Sequence, residues 1–338
     1  MMMKCWVLVM MVMSVGVCAD PSGTKNHNGE EHKALCDVLK AAVGKWVRER
    51  ESLSEPLKNA IKQTIFGYGG PEVTVDKLKE KAPKDYDDIS GSRGLSCAQP
   101  FSDDIHKAWP LRWSGHSAPH GLVCLCTLGE NGWPISDAKS EKLCGQTKDA
   151  LGGDKAKRGW SDKESKHGKG GEEQIQATWT TVIKECLSNG REEDLRGALK
   201  AFIGKLNHTW TTVYENMYLL GEGNISSDQA CNGETQVCAR YLPNATETKT
   251  WWQDLKNALD EEEVQKKREE EERRKQQDEK QNLEIPKTED FKSGSTTTNQ
   301  TEAPKNDNLT EKLRKYNLTS GTPISMPTSW LLSATILI

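Results

Sequence analysis

Eight cysteines, Cys36, Cys97, Cys124, Cys126, Cys144, Cys186, Cys231 and Cys238, constrain what this chain can fold into more than any other feature. Two more, Cys5 and Cys18, lie in an N-terminal segment that reads as a cleaved leader. There Lys4 precedes the apolar run 6–17, which ends on the small-residue site Val17-Cys18-Ala19. That run is too short for a permanent membrane helix and reads as a signal peptide over residues 1–19, with the mature chain starting at Asp20. A secreted chain folds in an oxidising compartment, where an even thiol set pairs into disulfides with more connectivities than sequence can choose among. Cys231 and Cys238 bracket Asn-Gly-Glu-Thr-Gln-Val, a turn-like loop that one bridge can close. Cys124 and Cys126, read as strand residues, share a face but are poorly placed to bond each other, so each is expected to reach a separate, distant partner.

The C-terminus carries a second processing signal. Small residues Ser320-Gly321-Thr322 precede a mostly uncharged spacer to Thr328 and the apolar tail 329–338. This is the order a GPI transamidase reads, with attachment expected at Ser320 and residues 321–338 removed. The tail is far below the roughly 20 apolar residues that a spanning helix needs.

Between the signals lie roughly 300 residues, enough to bury a sizeable core. The net charge of −4 and the lack of a basic stretch interleaved with aromatics argue against nucleic acid as a partner. His116, His120, Cys124 and Cys126 include good zinc ligands, but their spacing matches no familiar zinc module and the even thiol count favours disulfides, so no metal or other cofactor is expected. There is no Walker A loop, no G-x-G-x-x-G and no H-E-x-x-H. Gly94-Leu-Ser96-Cys-Ala98 approaches a nucleophile elbow but ends in alanine, and no enzyme is expected.

Leu35, Leu39, Ala42, Val43 and Trp46 follow helical spacing and predict an amphipathic helix over 30–51. Ser54 and Pro56 start a second, shorter helix that the Gly67-Tyr-Gly-Gly-Pro71 breaker ends. From there to Gly171 the pattern is irregular and reads as loops and short strands pinned by cysteines. Periodicity returns at Ile175, Trp179, Val182, Ile183, Cys186 and Leu187, then at Leu195, Leu199, Phe202, Leu206, Trp210, Val213, Met217 and Leu220. The second set predicts one long helix over 195–220, about 39 Å at about 1.5 Å per residue, suited to a bundle core or a coiled coil. Residues 261–285 read as a solvated charged helix with glutamates four residues ahead of their cations. Residues 286–320 lack the apolar content to fold and read as a spacer. The disulfide-bonded ectodomain is therefore placed at 20–260. Sequons occur at Asn207, Asn224, Asn244, Asn299, Asn308 and Asn317. The long-helix reading puts Asn207 mid-helix, where the fold could hide it.

The order of leader, early amphipathic helix, Cys124-Leu-Cys126-Thr127 followed by Gly129 and Trp133-Pro134, second long helix, charged spacer and GPI signal resembles the African-trypanosome variant surface glycoproteins with a b-type N-terminal domain. The likeness spans nearly the whole precursor, and the chain lacks the second cysteine-rich domain of longer members. The resemblance implies a mainly α fold: an elongated pair of long antiparallel helices with a cysteine-rich loop and short-strand lobe, dimerising as a coiled-coil-like bundle. It further implies a homodimer held to the outer leaflet by GPI lipid, forming a dense coat that meets host antibodies and changes by antigenic variation. A GPI-anchored nutrient receptor for a host carrier protein, on the same scaffold, is the alternative. The expected dimer rests on Trp46, Phe202 and Trp210, which a two-helix pair would leave half covered.

Overall fold

A computed structural model of the chain describes residues 24–69, 73–87, 92–102, 112–153, 159–165, 170–188, 194–210, 216–243 and 250–283. It is mainly helical, with a few short strands. The chain divides into two units, Met1–Glu279 and Lys280–Ile338, and in the second only the last residues of one helix are described.

Strand β1, Lys25–His27, leads into helix α1, Gly29–Glu49. Residues Ala34, Leu35, Val38, Leu39, Ala42, Val43 and Trp46 recur three or four apart, so one face of α1 is buried throughout. Glu30 and Glu31 in the first turn and Arg48 in the last oppose the helix dipole. Helix α2, Glu55–Phe66, starts after Ser54 with Pro56 in its first turn. It stops at Gly67, whose φ of 86° only glycine adopts readily. A Cβ there would also lie 1.8 Å from the His116 ring.

Short helices α3, Val75–Glu80, and α4, Arg93–Ala98, follow, capped by the Thr74 and Ser92 hydroxyls on the Lys77 and Leu95 amides. The centre is α5, Ala118–Cys126, in which every residue is buried. It packs against α1, α2 and α4. A helix buried on every side has no solvent face, which is why its periodicity is weak in the sequence. Strand β2, Glu141–Leu143, pairs in parallel with β1.

A short α6, Asp162–Ser165, precedes α7, Glu172–Thr178, which runs on through a π-helical turn, Trp179–Ile183, into Lys184–Cys186. The wider turn seats Trp179 in the core, where its indole donates to the Leu78 carbonyl at 2.8 Å. Helix α8, Leu195–Ile203, lies against α1. Antiparallel strands β3, Asn207–Thr209, β4, Met217–Glu222, and β5, Val237–Tyr241, form a sheet in that order, with β5 wholly buried against α4 and α5.

Helix α9, Trp251–Leu283, is 33 residues long. Trp251, Trp252, Leu255, Ala258 and Leu259 bury its first turns, while residues 265–280 are exposed. No break separates the buried start from the charged stretch expected to begin at 261. Ion pairs Glu262–Lys266 at 3.1 Å, Glu263–Lys267 at 2.5 Å and Glu271–Lys275 at 3.0 Å line its solvated face. Each pair in this orientation stabilises by about 0.2–0.5 kcal/mol. No helix among the described residues is long and apolar enough to cross a membrane.

The structure corrects the expected helix over 195–220. After Ile203 and Gly204 the chain enters β3, and Met217 and Leu220 lie on β4. The segment holds Thr209, Trp210, Thr211, Thr212, Val213 and Tyr214, all good strand formers, and its steps of three and four imitate a heptad by coincidence. Trp46 and Phe202 are covered within the chain, Trp46 by Phe66 and Arg50, Phe202 by Tyr241 and Trp251. Only Trp210 of that trio stays exposed, at 65%. Among the described residues the two longest helices are α9 and α1, of 33 and 21 residues.

Candidate functional site

Helix α5 is the hub from which the disulfide-rich lobe is built. Ser117 accepts from the His120 amide and Pro119 sits in the first turn, so the helix starts sharply after an extended residue. Cys124 and Cys126 lie on this helix, not on a strand. Two residues apart on a helix, they point to different sides, so Cys124 joins Cys97 of α4 and Cys126 joins Cys144 beyond β2. Their partners are only 27 and 18 residues away in sequence. Cys36 of α1 joins Cys186 at the end of α7 across 150 residues, and Cys231 joins Cys238 across 7.

Three buried polar side chains hold this lobe together. Arg93 of α4 is fully buried and donates to the Cys124 and Thr127 carbonyls at 2.8 and 3.0 Å and to the Trp160 carbonyl at 2.8 Å. It thus caps the C-terminal end of α5, where the dipole favours a cation, and lies 5.0 Å over the Trp160 ring. Burial brings its pKa down to about 9, against the opposing pull of Asp162.

Asn28 sits at the N-terminus of α1 with φ 54°, a left-handed conformation that asparagine tolerates. Its amide nitrogen donates to the Leu125 and Val237 carbonyls at 2.9 and 2.8 Å, and its oxygen accepts from the Glu222 amide at 2.8 Å. One side chain therefore ties α1, α5, β4 and β5. Arg240 of β5 donates to the Ala98 and Ser227 carbonyls at 3.0 and 2.8 Å. None of the three carries a sequence signal of its own, because their partners are backbone carbonyls and amides remote in the chain.

His120, one of the candidate zinc ligands, uses both ring nitrogens. Its Nε2 donates to the Ser96 carbonyl at 2.9 Å, which leaves Nδ1 to accept from the Tyr86 hydroxyl at 2.7 Å. Burial pushes the Tyr86 phenol up to about 12, so it stays a donor. Ser96 itself is buried in α4, so the near-elbow does not present its hydroxyl at a surface. Two histidine and cysteine sets converge, Cys97 with His120 and Cys124, and His32 with Cys36 and Cys186. In each, both sulfurs are joined in a disulfide. His116 meets the Trp113 ring edge to face at 4.8 Å and the His120 ring edge to face at 6.2 Å, and it is a member of neither set.

The Gly129 to Trp133-Pro134 block passes between two other loops. Glu130 donates its amide to the Gly233 carbonyl at 2.7 Å, and the Trp160 amide donates to Leu128 at 3.0 Å. A Cβ on Gly129 would sit 2.0 Å from the Gly233 oxygen, and one on Gly159 would sit 1.7 Å from the Gly129 oxygen. The motif residue Gly129 is therefore a contact requirement: three backbones meet there with no room for side chains.

The surface offers two further features. An open groove of about 800 Å³ lies at the C-terminal end of α1, lined by Trp46, Val47, Arg50, Phe66, Val73 and Val75. Of the sequons, Asn207 on β3 and Asn224 after β4 have exposed side chains. Asn207 is thus at a strand edge and not inside a helix. Asn244, Asn299, Asn308, Asn317 and Ser320 lie outside the described residues.

No curated protein matches the chain. The model of the trypanosomal VSG domain, B type, matches residues 41–282, which takes in the C-terminal part of α1, every disulfide partner except Cys36, the Gly129 contact and nearly all of α9. The chain therefore belongs to the trypanosomal variant surface glycoproteins, a family of surface coat proteins.

Proposed function

We propose that this protein is a GPI-anchored variable coat glycoprotein on the outer leaflet of the plasma membrane, screening other membrane proteins from host antibody. The family match over residues 41–282 carries this reading. The build of the lobe supports it: four disulfides and the buried Asn28, Arg93 and Arg240 fix the backbone from within, and none of them depends on the identity of exposed residues such as 136–140 or 226 and 228–229. Such a scaffold tolerates replacement of its surface, which antigenic variation demands. Attachment of lipid at Ser320, removal of 321–338, a spacer over 286–320 and glycans on the six sequons complete the proposal.

The same reading includes a homodimer. With Trp46 and Phe202 covered, the large apolar side chains left exposed among the described residues are Val47 on α1, Val264 on α9, Trp133 and Trp210, at 54%, 49%, 39% and 65%, and these are the candidates for its interface. The Glu49 carboxyl at the end of α1 is held below its ordinary range mainly by the Lys45 hydrogen bond and least by the charge of Lys266 on α9.

A census of surface proteins on intact cells tests the coat role, and phosphatidylinositol-specific phospholipase C tests the anchor. A dominant copy number and release by the lipase are expected. A scarce protein that binds a host carrier would instead establish the receptor, with the groove beside Trp46 as the first place to seek its ligand. Retention of residues 330–338 in the mature chain would refute the anchor.

A further inference from the structure

The β3–β4–β5 sheet has one open side. β5 is buried along all five residues, but β3 is the outer strand, Asn207 and His208 are exposed, and no described strand pairs with its far edge. Free edges of this kind invite pairing with another chain, and proteins blunt them by keeping the strand short, as the three residues of β3 do in part, or with lysine, proline, bulges or a cover, of which β3 lacks lysine and proline. Its sequence, Asn207-His208-Thr209, is uncharged apart from the imidazole, and it runs into Trp210, which is 65% exposed. Register fixes the strand firmly on its inner side, with Asn207 opposite Leu219, His208 opposite Tyr218 and Thr209 opposite Met217. The His208 and Tyr218 rings lie 4.7 Å apart. Among the described residues the strand is paired on one side only, and it runs into an exposed indole.

The same three residues are a sequon, Asn-His-Thr, with its acceptor exposed at the first position of the edge. We propose that an N-glycan on Asn207 is the cover for this edge, blocking antiparallel pairing of β3 with β3 of a second copy. The inference rests on the reading that Asn207 is glycosylated. A branched, hydrated sugar at the strand start denies a neighbouring backbone the approach of about 4.8 Å that a ladder requires. It also stands within about 10 Å of Trp210 along an extended chain. Without it, two copies could join their three-stranded sheets edge to edge and bury both indoles. In a dense coat, where each copy is surrounded by others, that reaction would compete with the arrangement of the coat. Asn224, the other exposed sequon, lies in a turn stabilised by the Ser226 amide on its own side-chain oxygen and offers no strand edge.

The test uses the ectodomain expressed in a cell that adds N-glycans. Mass spectrometry of the Asn207 peptide gives occupancy, sedimentation across a concentration series gives association, and hydrogen exchange reads the 207–209 amides. Thr209→Val deletes the acceptor while keeping a β-branched strand residue. It is expected to associate beyond the wild-type state at a concentration at least about tenfold lower, with new protection of the 207–209 amides. Trimming the glycan of the folded wild-type protein with an endoglycosidase that leaves one sugar should do the same without any refolding. Asn207→Lys, which removes the glycan but places a charge on the edge, should restore wild-type association, and Ser226→Ala, which removes only the Asn224 sequon, should not change it. An occupied Asn207 whose loss leaves association and protection unchanged overturns the proposal, as does failure of Asn207→Lys to restore the wild-type state. An unoccupied Asn207 in the wild-type protein overturns the glycosylation reading beneath it.

Discussion

Replacing Asn28 separates the hydrogen bonding of the hub from its backbone conformation. Asn28→Ala removes two donations, to Leu125 and Val237, and the acceptance from Glu222, in a residue that is 3% exposed. At about 1 kcal/mol net per bond the three account for about 3 kcal/mol. Alanine at φ 54° adds about 1–2 kcal/mol of left-handed strain, for a total of about 4–5 kcal/mol. Asn28→Gly loses the same bonds but not the strain, and its greater unfolded-state freedom costs about 0.5–1 kcal/mol. Glycine should therefore be the better replacement by about 0.5–1 kcal/mol, in keeping with the ordinary preference for glycine over alanine at a helix N-cap. Urea unfolding with disulfides intact reads both, provided the three proteins share one m-value. An alanine variant within about 1 kcal/mol of wild type would refute the assignment of Asn28 as the tie, since water would then be satisfying its partners. A glycine variant clearly below the alanine one would refute the conformational part.

Arg93→Lys offers a single ammonium where a planar fork reaches three carbonyls, and a loss of about 2–3 kcal/mol in the same assay is expected, with Arg93→Ala worse. On chain entropy the Cys36–Cys186 bridge, closing 150 residues, should contribute about 5 kcal/mol and Cys231–Cys238, closing 7, about 2 kcal/mol, so paired Cys→Ala variants should rank in that order by melting temperature. Two carboxylates should give the stability–pH curve opposing slopes. Glu141 is held down to about 2 by the Asp137 amide first and by Ser136, so the stability it adds is present above about 4.3 and is lost as pH falls toward 2; Glu141→Gln should remove that loss. Asp254 is raised by burial, against the hydrogen bond that Tyr68 donates to it, so its contribution is full below about 3.9 and fades as pH rises through its folded value. Asp254→Asn should flatten that descent, and an unchanged melting profile would show that the carboxyl is hydrated.

Local signals in the sequence determined a good part of this protein. The apolar period of α1, the Ser54-Glu55-Pro56 start and Gly67 stop of α2, and the charged face of α9 depend on residues within a few turns of one another, so they can be read without knowing the fold. The motif around Cys124-Leu-Cys126 and Gly129 pointed to the right family for the same reason: tight backbone contacts leave a fixed residue choice. Tertiary structure decided the rest. The stretch after Ile203 turned from helix to strand because Leu219, Val237 and Tyr241 offer a sheet partner and a core that outweigh a helical spacing. Whether Cys124 and Cys126 share a face depended on α5 being a helix buried on all sides, and such a helix shows no amphipathic period to announce itself. Asn28 and Arg93 stayed silent in the sequence because their partners are main-chain groups between 31 and 209 residues away, and a carbonyl looks the same whatever side chain it carries.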